Sequence, residues 1–135
     1  MCKLNKLTII IAEDDEDDAM IIESSFSGNA DFETVKMVKN GNELIEYLKL
    51  NSLPDIILTD INMPIMDGIE ALKIIYNSNN LNKIPCFVYS TSINPSYEML
   101  CKNIGVKGYL VKPNNINDFD EIPKEIISIL EKEFK

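Results

Sequence analysis

The chain has 135 residues, which suits a single domain, and its 22 acidic and 13 basic residues give a formal net charge of −9. Hydrophobic residues make up 45% of the chain, which argues against disorder, and no apolar run approaches the roughly 20 residues of a membrane span. Arginine and histidine are absent, which argues against a basic nucleic-acid footprint and excludes histidine zinc ligands, Ser-His-Asp triads and a phosphohistidine in this chain.

Apolar segments and amphipathic segments alternate along the chain. Strands are predicted, in chain order, at residues 7–12, 32–38, 55–60, 84–90 and 106–111. Apolar residues at helical spacing between these strands predict helices over residues 15–27, 41–51, 67–77 and 95–104, with a fifth helix in the C-terminal tail. Pro123 fits the first turn of that last helix, where its missing N–H is not needed.

Five strands that alternate with five helices predict an α/β fold. Strands of nearly continuous apolar residues are typical of a parallel sheet covered on both faces, so the expected architecture is a doubly wound three-layer α/β/α sandwich. With the flavodoxin-like strand order 2-1-3-4-5, strands 1 and 3 are neighbours and a ligand binds beyond the carboxyl ends of the strands. We expect one domain over residues 1–135, with no output domain after the last helix.

Polar side chains follow the predicted strands at this carboxyl edge. Glu13 and Asp14 follow strand 1, Asp60 ends strand 3, Ser90 ends strand 4 and Lys112 follows strand 5. Three carboxylates that share a small cleft repel one another unless a cation compensates their charge. An all-oxygen ligand set selects Mg²⁺, Ca²⁺ or Mn²⁺ over zinc, and Mg²⁺ keeps coordination positions open for a phosphoryl oxygen.

The stretch LTDINMPIMDG, residues 58–68, explains what this edge can do. An aspartate at a strand tip beside a metal ion and a lysine is a candidate nucleophile, which assigns that role to Asp60. Lys112 and the cation would stabilise the charge on a transferring phosphoryl group, and Ser90 would donate a hydrogen bond to it. Met63-Pro64 and Asp67-Gly68 turn the chain into helix 3 without covering Asp60.

Four stretches together carry a resemblance to a known family. They are IIIAEDDEDD at residues 9–18, LTDINMPIMDG at 58–68, VYSTS at 88–92 and GYLVKP at 108–113. In this order they resemble the receiver domain of two-component response regulators, over essentially the whole chain, and most closely a stand-alone, chemotaxis-regulator-like receiver. The resemblance implies a phosphorelay protein whose cofactor is Mg²⁺ and which is a signalling switch rather than an enzyme.

The resemblance also implies a role for each matching residue at the metal site. Asp60 would accept the phosphoryl group and contact the metal ion, and Lys112 would pair with it. Asp14 would bind the metal ion directly, Glu13 directly or through water, and Asn62 through its backbone carbonyl.

A second set of implied roles concerns the switch. Ser90 would be the switch hydroxyl that moves inward on phosphorylation, and Tyr109 the aromatic residue that follows it. The Lys112-Pro113 peptide resembles a cis bond of the family that aims the lysine. From the residues alone, two plainer interpretations stay open: Ser90 as the cap of helix 4 and Tyr109 as a core residue.

The partners implied are proteins. The phosphoryl donor would be a histidine kinase or a histidine phosphotransfer protein, because this chain has no histidine of its own. A downstream target protein would bind the face made by helix 4, strand 5 and helix 5, and a homodimer through the same face is an alternative. No nucleic acid and no membrane are expected among the partners.

The departures from the family pattern are few. Glu13 is longer than the aspartate common at its position, position 90 carries serine instead of threonine, and Asn62 and Ser92 stand where side chains flank the phosphoryl group in relatives. The acidic residues 15–18 are interpreted as a capped start of helix 1 that matches the helix dipole. Met63 and Met66 are interpreted as packing residues.

Three other functions compete with the phosphoacceptor switch. An aspartate-nucleophile phosphatase or phosphotransferase wants a second aspartate two residues after the nucleophile, where this chain has Asn62. An FMN carrier of the same topology needs a hydroxyl- and glycine-rich loop after strand 1, where this chain has the acidic EDDEDD. A receiver-like binding module that is never phosphorylated would have no use for the complete set of Asp14, Asp60, Ser90 and Lys112.

The cysteines and the N-terminal segment bear on location. Cys2, Cys86 and Cys101 form no spaced pair, which is typical of free thiols in a reducing compartment, and Cys86 and Cys101 are expected in the core. The opening segment MCKLNKLTIIIAEDD has too short an apolar region for a signal peptide. We therefore expect a soluble cytoplasmic protein.

Overall fold

A computed structural model of the chain describes residues 6–91 and 94–133, with strands and helices in strict alternation. The strands are β1 Leu7–Ala12, β2 Phe32–Val38, β3 Ile56–Thr59, β4 Cys86–Ser90 and β5 Gly108–Val111. The helices are α1 Glu16–Ser27, α2 Gly41–Leu50, α3 Gly68–Tyr76, α4 Pro95–Ile104 and α5 Glu121–Glu133. A short 3-10 helix, Ile116–Asp120, precedes α5 and was not predicted.

The five strands form one parallel sheet in the order β2-β1-β3-β4-β5, which confirms the predicted fold and strand order. Strands β4 and β5 begin two residues later than predicted, because turns use those residues. Gly105 ends α4 with a left-handed φ of 114°, and the Val106 N–H bonds to the Cys101 carbonyl before β5 can start. Likewise the Ile84 N–H bonds to the Leu81 carbonyl ahead of β4.

Side chains alternate between the two faces of the sheet and fill two separate cores. On one face Ile10, Ile57 and Val88 pack against α2, α3 and α4. On the other face Ile9, Leu58 and Phe87 pack against α1 and α5. Residues an even number of positions apart along a strand lie on the same face of the sheet. The same alternation decides to which face a side chain just beyond the end of a strand projects.

Side-chain caps fix the helix starts. Asp15 caps α1, and Asp67 with Glu70 forms a capping box at α3. Asn94 caps α4, so the open interpretation of Ser90 as that cap is wrong. Pro123 lies in the first turn of α5, as predicted.

The cysteines within the described residues behave as core residues. Burial raises the pKa of the Cys86 thiol to about 12 and that of Cys101 to about 11, which leaves both protonated at neutral pH. Cys2 lies outside the described residues. Within the described part of the chain, none of the helices combines the length and apolarity that crossing a bilayer requires.

Candidate phosphoacceptor and metal site

The carboxyl ends of β1 and β3 bring three carboxylates together, as the sequence predicts. The Asp60 N–H bonds to the Ala12 carbonyl at 3.0 Å, which holds the residue after β3 against the end of β1. One carboxylate oxygen from each of Glu13, Asp14 and Asp60 lies within 4.8 Å of the others. Glu13 is buried at 2% exposure and Asp60 nearly so at 9%, whereas Asp14 is exposed, so the cluster opens to solvent on one side.

Lys112 compensates this negative charge from the end of β5. Its ammonium lies 2.9 Å from Asp60 Oδ2, 2.9 Å from Glu13 Oε1 and 3.0 Å from Asp18 Oδ2. Burial alone would lower the pKa of Lys112, but the hydrogen bonds to Glu13 and Asp60 outweigh burial and raise it above that of an exposed lysine. Lys112 therefore carries its positive charge throughout the neutral range.

The backbone around Lys112 differs from the expected form. Among the described residues every peptide bond is trans, so the prediction of a cis Lys112-Pro113 bond is wrong. The trans form is the intrinsically favoured one before proline. The Lys112 N–H bonds to the Ser90 carbonyl at 2.7 Å, and this extension of the β4–β5 pairing is enough to bring the ammonium to Asp60.

Glu13 is held by three donors. The Tyr89 hydroxyl donates to Oε1 at 2.6 Å, Lys112 bonds to the same oxygen, and the Asp15 N–H donates to Oε2 at 3.1 Å. Burial raises the pKa of Glu13, while the hydrogen bonds from Tyr89 and Lys112 oppose the rise. A buried carboxylate with this many donors has a fixed orientation.

Both carboxylate oxygens of Asp60 accept a hydrogen bond, which orients the side chain. Oδ1 accepts a hydrogen bond from the Ile61 N–H at 2.7 Å, and Oδ2 accepts one from Lys112 at 2.9 Å. The chain then turns away, and the Gly68 N–H closes the loop by bonding to the Ile61 carbonyl at 2.8 Å. Asp60 therefore sits at the strand tip, but it is only 9% exposed, so its carboxylate is less open than the predicted uncovered one.

The loop after Asp60 contains a strained residue. Ile65 has a φ of 69° although it is β-branched, and the Met66 N–H bonds to the Pro64 carbonyl across it at 2.7 Å, which makes a γ-turn of the rare, strained kind. The turn is anchored because the Gly41 N–H at the start of α2 bonds to the Met66 carbonyl. Met63 is buried and Met66 packs against the same core, which confirms their predicted packing role.

Replacing Ile65 with asparagine is expected to raise the free energy of unfolding by about 1 kcal/mol, because asparagine tolerates positive φ and relieves part of the strain. Little packing is lost, since Ile65 is 81% exposed. Urea unfolding followed by circular dichroism measures the change. Ile116→Asn, at another exposed isoleucine with ordinary φ, is the control and should bring no gain. An equal change in the free energy of unfolding for Ile65→Asn and Ile116→Asn would contradict the strain at Ile65.

Ser90 and Tyr109 lie on the opposite side of the sheet from Lys112. Ser90 is buried at the end of β4, and Tyr109 is half-buried against the core under α3 and α4. The Tyr109 hydroxyl is buried without a hydrogen-bond partner among the described residues. Burial raises the pKa of this phenol, and the nearby Ser90 side chain opposes the rise. Tyr109 is thus neither fully exposed nor a fully satisfied core residue.

The sequence interpretation missed two residues of the cluster. The sequence pattern predicts only a capped helix start for Asp18, yet Asp18 bonds to Lys112, and it predicts no role for Tyr89, which bonds to Glu13. Strand parity is the signal for Tyr89, because it lies two residues after Phe87 and therefore on the face that Glu13 and Lys112 share.

Asn62 is exposed, and its carbonyl stays a predicted ligand. Ser92 lies outside the described residues.

The donor set fits a divalent cation of the hard type. All three clustered ligands are carboxylate oxygens, with no thiolate or imidazole among them, and such sets favour magnesium, calcium or manganese. The exposed Asp14 leaves one side open to water and to further oxygen ligands. The residues of the cluster therefore suit the Mg²⁺ ion expected from the sequence.

Comparisons with known proteins agree with this geometry. The sequence model of the response regulator receiver domain matches residues 9–124. The chain is 30% identical over 123 residues to the probable methanogenesis regulatory protein FilR2 of Methanothrix harundinacea, covering 87% of this chain and 79% of that protein.

Solved structures show the same fold. The phosphorylated cyanobacterial phytochrome response regulator RcpA superimposes with a TM-score of 0.83 at 31% identity, over 90% of this chain and 91% of that one. The Mn²⁺-bound response regulator Rcp1 has a TM-score of 0.81 at 25% identity, over 90% and 92% of the two chains. Since the family match spans most of the chain and the fold is the same, the chain belongs to the response regulator receiver domain family, the signalling switches of two-component systems.

Proposed function

We propose that this receiver accepts a phosphoryl group on Asp60 from a phosphohistidine of a histidine kinase or a histidine phosphotransfer protein. The observation that carries the proposal is the contact between the Lys112 ammonium and Asp60 Oδ2 at 2.9 Å, next to the carboxylates of Glu13 and Asp14. A nucleophile and a charge-stabilising cation are thus paired at the open edge of the sheet. The phosphorylated state named for RcpA is in line with this assignment.

The transfer is a displacement at phosphorus. An Asp60 carboxylate oxygen forms the new P–O bond while the P–N bond to the donor imidazole breaks, and the imidazole leaves with the bonding electron pair. Lys112 lies where it stabilises the negative charge of the phosphoryl oxygens, and the Ile61 N–H fixes the attacking carboxylate. Orientation and charge stabilisation are the two contributions that this chain makes.

Glu13, Asp14 and Asp60 would hold Mg²⁺, with the Asn62 carbonyl as a further ligand. When bound, the ion neutralises charge on the phosphoryl oxygens and on the crowded carboxylates. The Mn²⁺-bound form of the relative Rcp1 is in line with a divalent cation in a protein of this fold. Glu13 and Lys112 meet directly, so part of the acidic charge is compensated by the chain itself.

Phosphorylation would then act through Ser90 and Tyr109. Ser90 ends β4, the neighbour of β3, and the Tyr109 hydroxyl, which has no hydrogen-bond partner among the described residues, lies on the same side of the sheet as Ser90. An inward shift of Ser90 would change the room available to Tyr109 and hence the surface made by α4, β5 and α5. On that surface Met99 and Val111 are exposed apolar residues, which suits a downstream target protein or a second copy of the chain.

Treatment with acetyl phosphate and Mg²⁺ is expected to add the mass of one phosphoryl group to the wild type and nothing to Asp60→Asn, because the amide cannot act as the nucleophile. Intact-mass spectrometry measures the gain, and a chelator should abolish it. Asp120→Asn, at an exposed aspartate elsewhere, is the control and should gain mass as the wild type does. Absence of any gain in the wild type would favour the unphosphorylated binding module instead.

The rival enzyme hypothesis makes a different prediction. A phosphatase would release phosphate from a phosphomonoester over many turnovers, whereas a switch takes up one phosphoryl group per chain by self-catalysed transfer and releases phosphate only by its own autodephosphorylation. We expect no sustained release, since Asn62 stands where such enzymes carry their acid-base aspartate. The cytoplasm is the proposed compartment, because the sequence spacing of the three cysteines is not that of a disulfide framework.

A further inference from the structure

Tyr89 is completely buried and contacts two residues of the site, Glu13 and Lys112. Its exposed fraction is 0%, and its hydroxyl donates a hydrogen bond to Glu13 Oε1 at 2.6 Å. The ammonium of Lys112 lies 4.8 Å from the centre of its ring. One side chain therefore contacts both the buried anion and the buried cation of the cluster.

The contacts of Glu13 limit which of its two carboxylate oxygens can bind a metal ion. A carboxylate oxygen offers two lone pairs. The Tyr89 hydroxyl occupies one lone pair of Oε1, the Lys112 ammonium forms an ion pair with the same oxygen at 2.9 Å, and the Asp15 N–H occupies one lone pair of Oε2. Oε2 is therefore the less crowded oxygen, with a lone pair left for a cation or for a water molecule bound to it. Tyr89 thus decides which oxygen of Glu13 is available.

The ring of Tyr89 contacts Lys112, the cation of the cluster. An ammonium near an aromatic face is attracted by the ring quadrupole, and the attraction is stronger where water is excluded. Lys112 donates to Asp18 and Asp60 in addition to its contact with Glu13, and all three acceptors are carboxylates. The ring adds a contact at 4.8 Å from its centre, so the position of the ammonium does not depend on Asp60 alone.

We propose that Tyr89 is a positioning residue of the phosphoryl-transfer site: it holds Glu13 by Oε1, so that Oε2 would be the oxygen available to a metal ion, and its ring packs against the Lys112 ammonium that contacts Asp60. This inference rests on the proposed function. Tyr89 neither binds the ion nor exchanges a proton in this role. Burial and the neighbouring carboxylates, Glu13 first, raise the pKa of its phenol, so it stays a hydrogen-bond donor at physiological pH.

Tyr89→Phe removes the hydroxyl and keeps the ring. It is expected to weaken Mg²⁺ binding about tenfold, the typical loss when a partner that orients a metal ligand is removed. Titration of the amide NMR signals with MgCl₂ measures this affinity without any phosphoryl transfer. Tyr76→Phe is the matched control, since it removes a hydroxyl bonded to the Gly105 carbonyl away from the site, and it should leave Mg²⁺ affinity unchanged.

A double-mutant cycle separates positioning from plain stability. If Tyr89 acts through Glu13, Tyr89→Phe in a Glu13→Ala background should change Mg²⁺ affinity by less than about twofold, because the acceptor is gone. A tenfold loss in that background, or an unchanged affinity with only a lower melting temperature in the single variant, would overturn the inference. Failure of the wild type to take up phosphate would instead contradict the proposed function, and the Mg²⁺ titration would still test Tyr89.

Discussion

Replacing Lys112 with methionine is expected to slow phosphoryl uptake by Asp60 by about two to three orders of magnitude, the usual loss when one charge-stabilising donor is removed. Methionine keeps much of the length and apolar stem of lysine but cannot donate a hydrogen bond. The 2.9 Å contact to Asp60 Oδ2 would be lost, and with it the cation nearest to the phosphoryl oxygens. The rate of mass gain with acetyl phosphate at saturating Mg²⁺ measures the effect.

Lys73→Met is the matched control, because Lys73 is exposed on α3 and its removal should leave the rate unchanged. The Lys112 variant also leaves Glu13, Asp18 and Asp60 without their shared cation, so its free energy of unfolding should fall. Added Mg²⁺ should restore more stability to this variant than to the wild type. A folded Lys112→Met protein that is phosphorylated at the wild-type rate would contradict the assigned role.

Replacing Gly68 with alanine is expected to lower the free energy of unfolding by about 3 kcal/mol, at the upper end of what overpacking costs. A Cβ at this position would lie 2.1 Å from the carbonyl oxygen of Asp60. That oxygen belongs to a backbone held by the bond from the Asp60 N–H to the Ala12 carbonyl, and Gly68 itself is bonded to Ile61. Neither segment can move without breaking the loop that presents Asp60.

The sign of this effect is informative, because helix propensity alone predicts the opposite. Alanine is favoured over glycine inside a helix by about 1 kcal/mol. Gly28→Ala is the control, since its φ is −83° and its nearest contact would be 3.3 Å, and it should change stability little. Urea unfolding of both variants gives the comparison. Wild-type stability of Gly68→Ala would show that the loop yields more easily than its hydrogen bonds suggest.

The sequence by itself determined the alternating elements, the strand order and most of the site. Helix and strand periods are local, and a parallel sheet brings the carboxyl ends of its strands to one edge, so the sequence alone assigns Glu13, Asp14, Asp60 and Lys112 to a common cleft. Their clustering in the structure confirms that step.

The tertiary structure alone decided how these residues are held. Asp18, in the first turn of α1, bonds to Lys112 across 94 positions of sequence, and Tyr89 bonds to Glu13 across 76. The Lys112-Pro113 bond is trans, and Ile65 takes a positive φ against its own preference. Such features depend on distances between separate elements and on strain that surrounding hydrogen bonds impose, and neither quantity is written in a local pattern of residues.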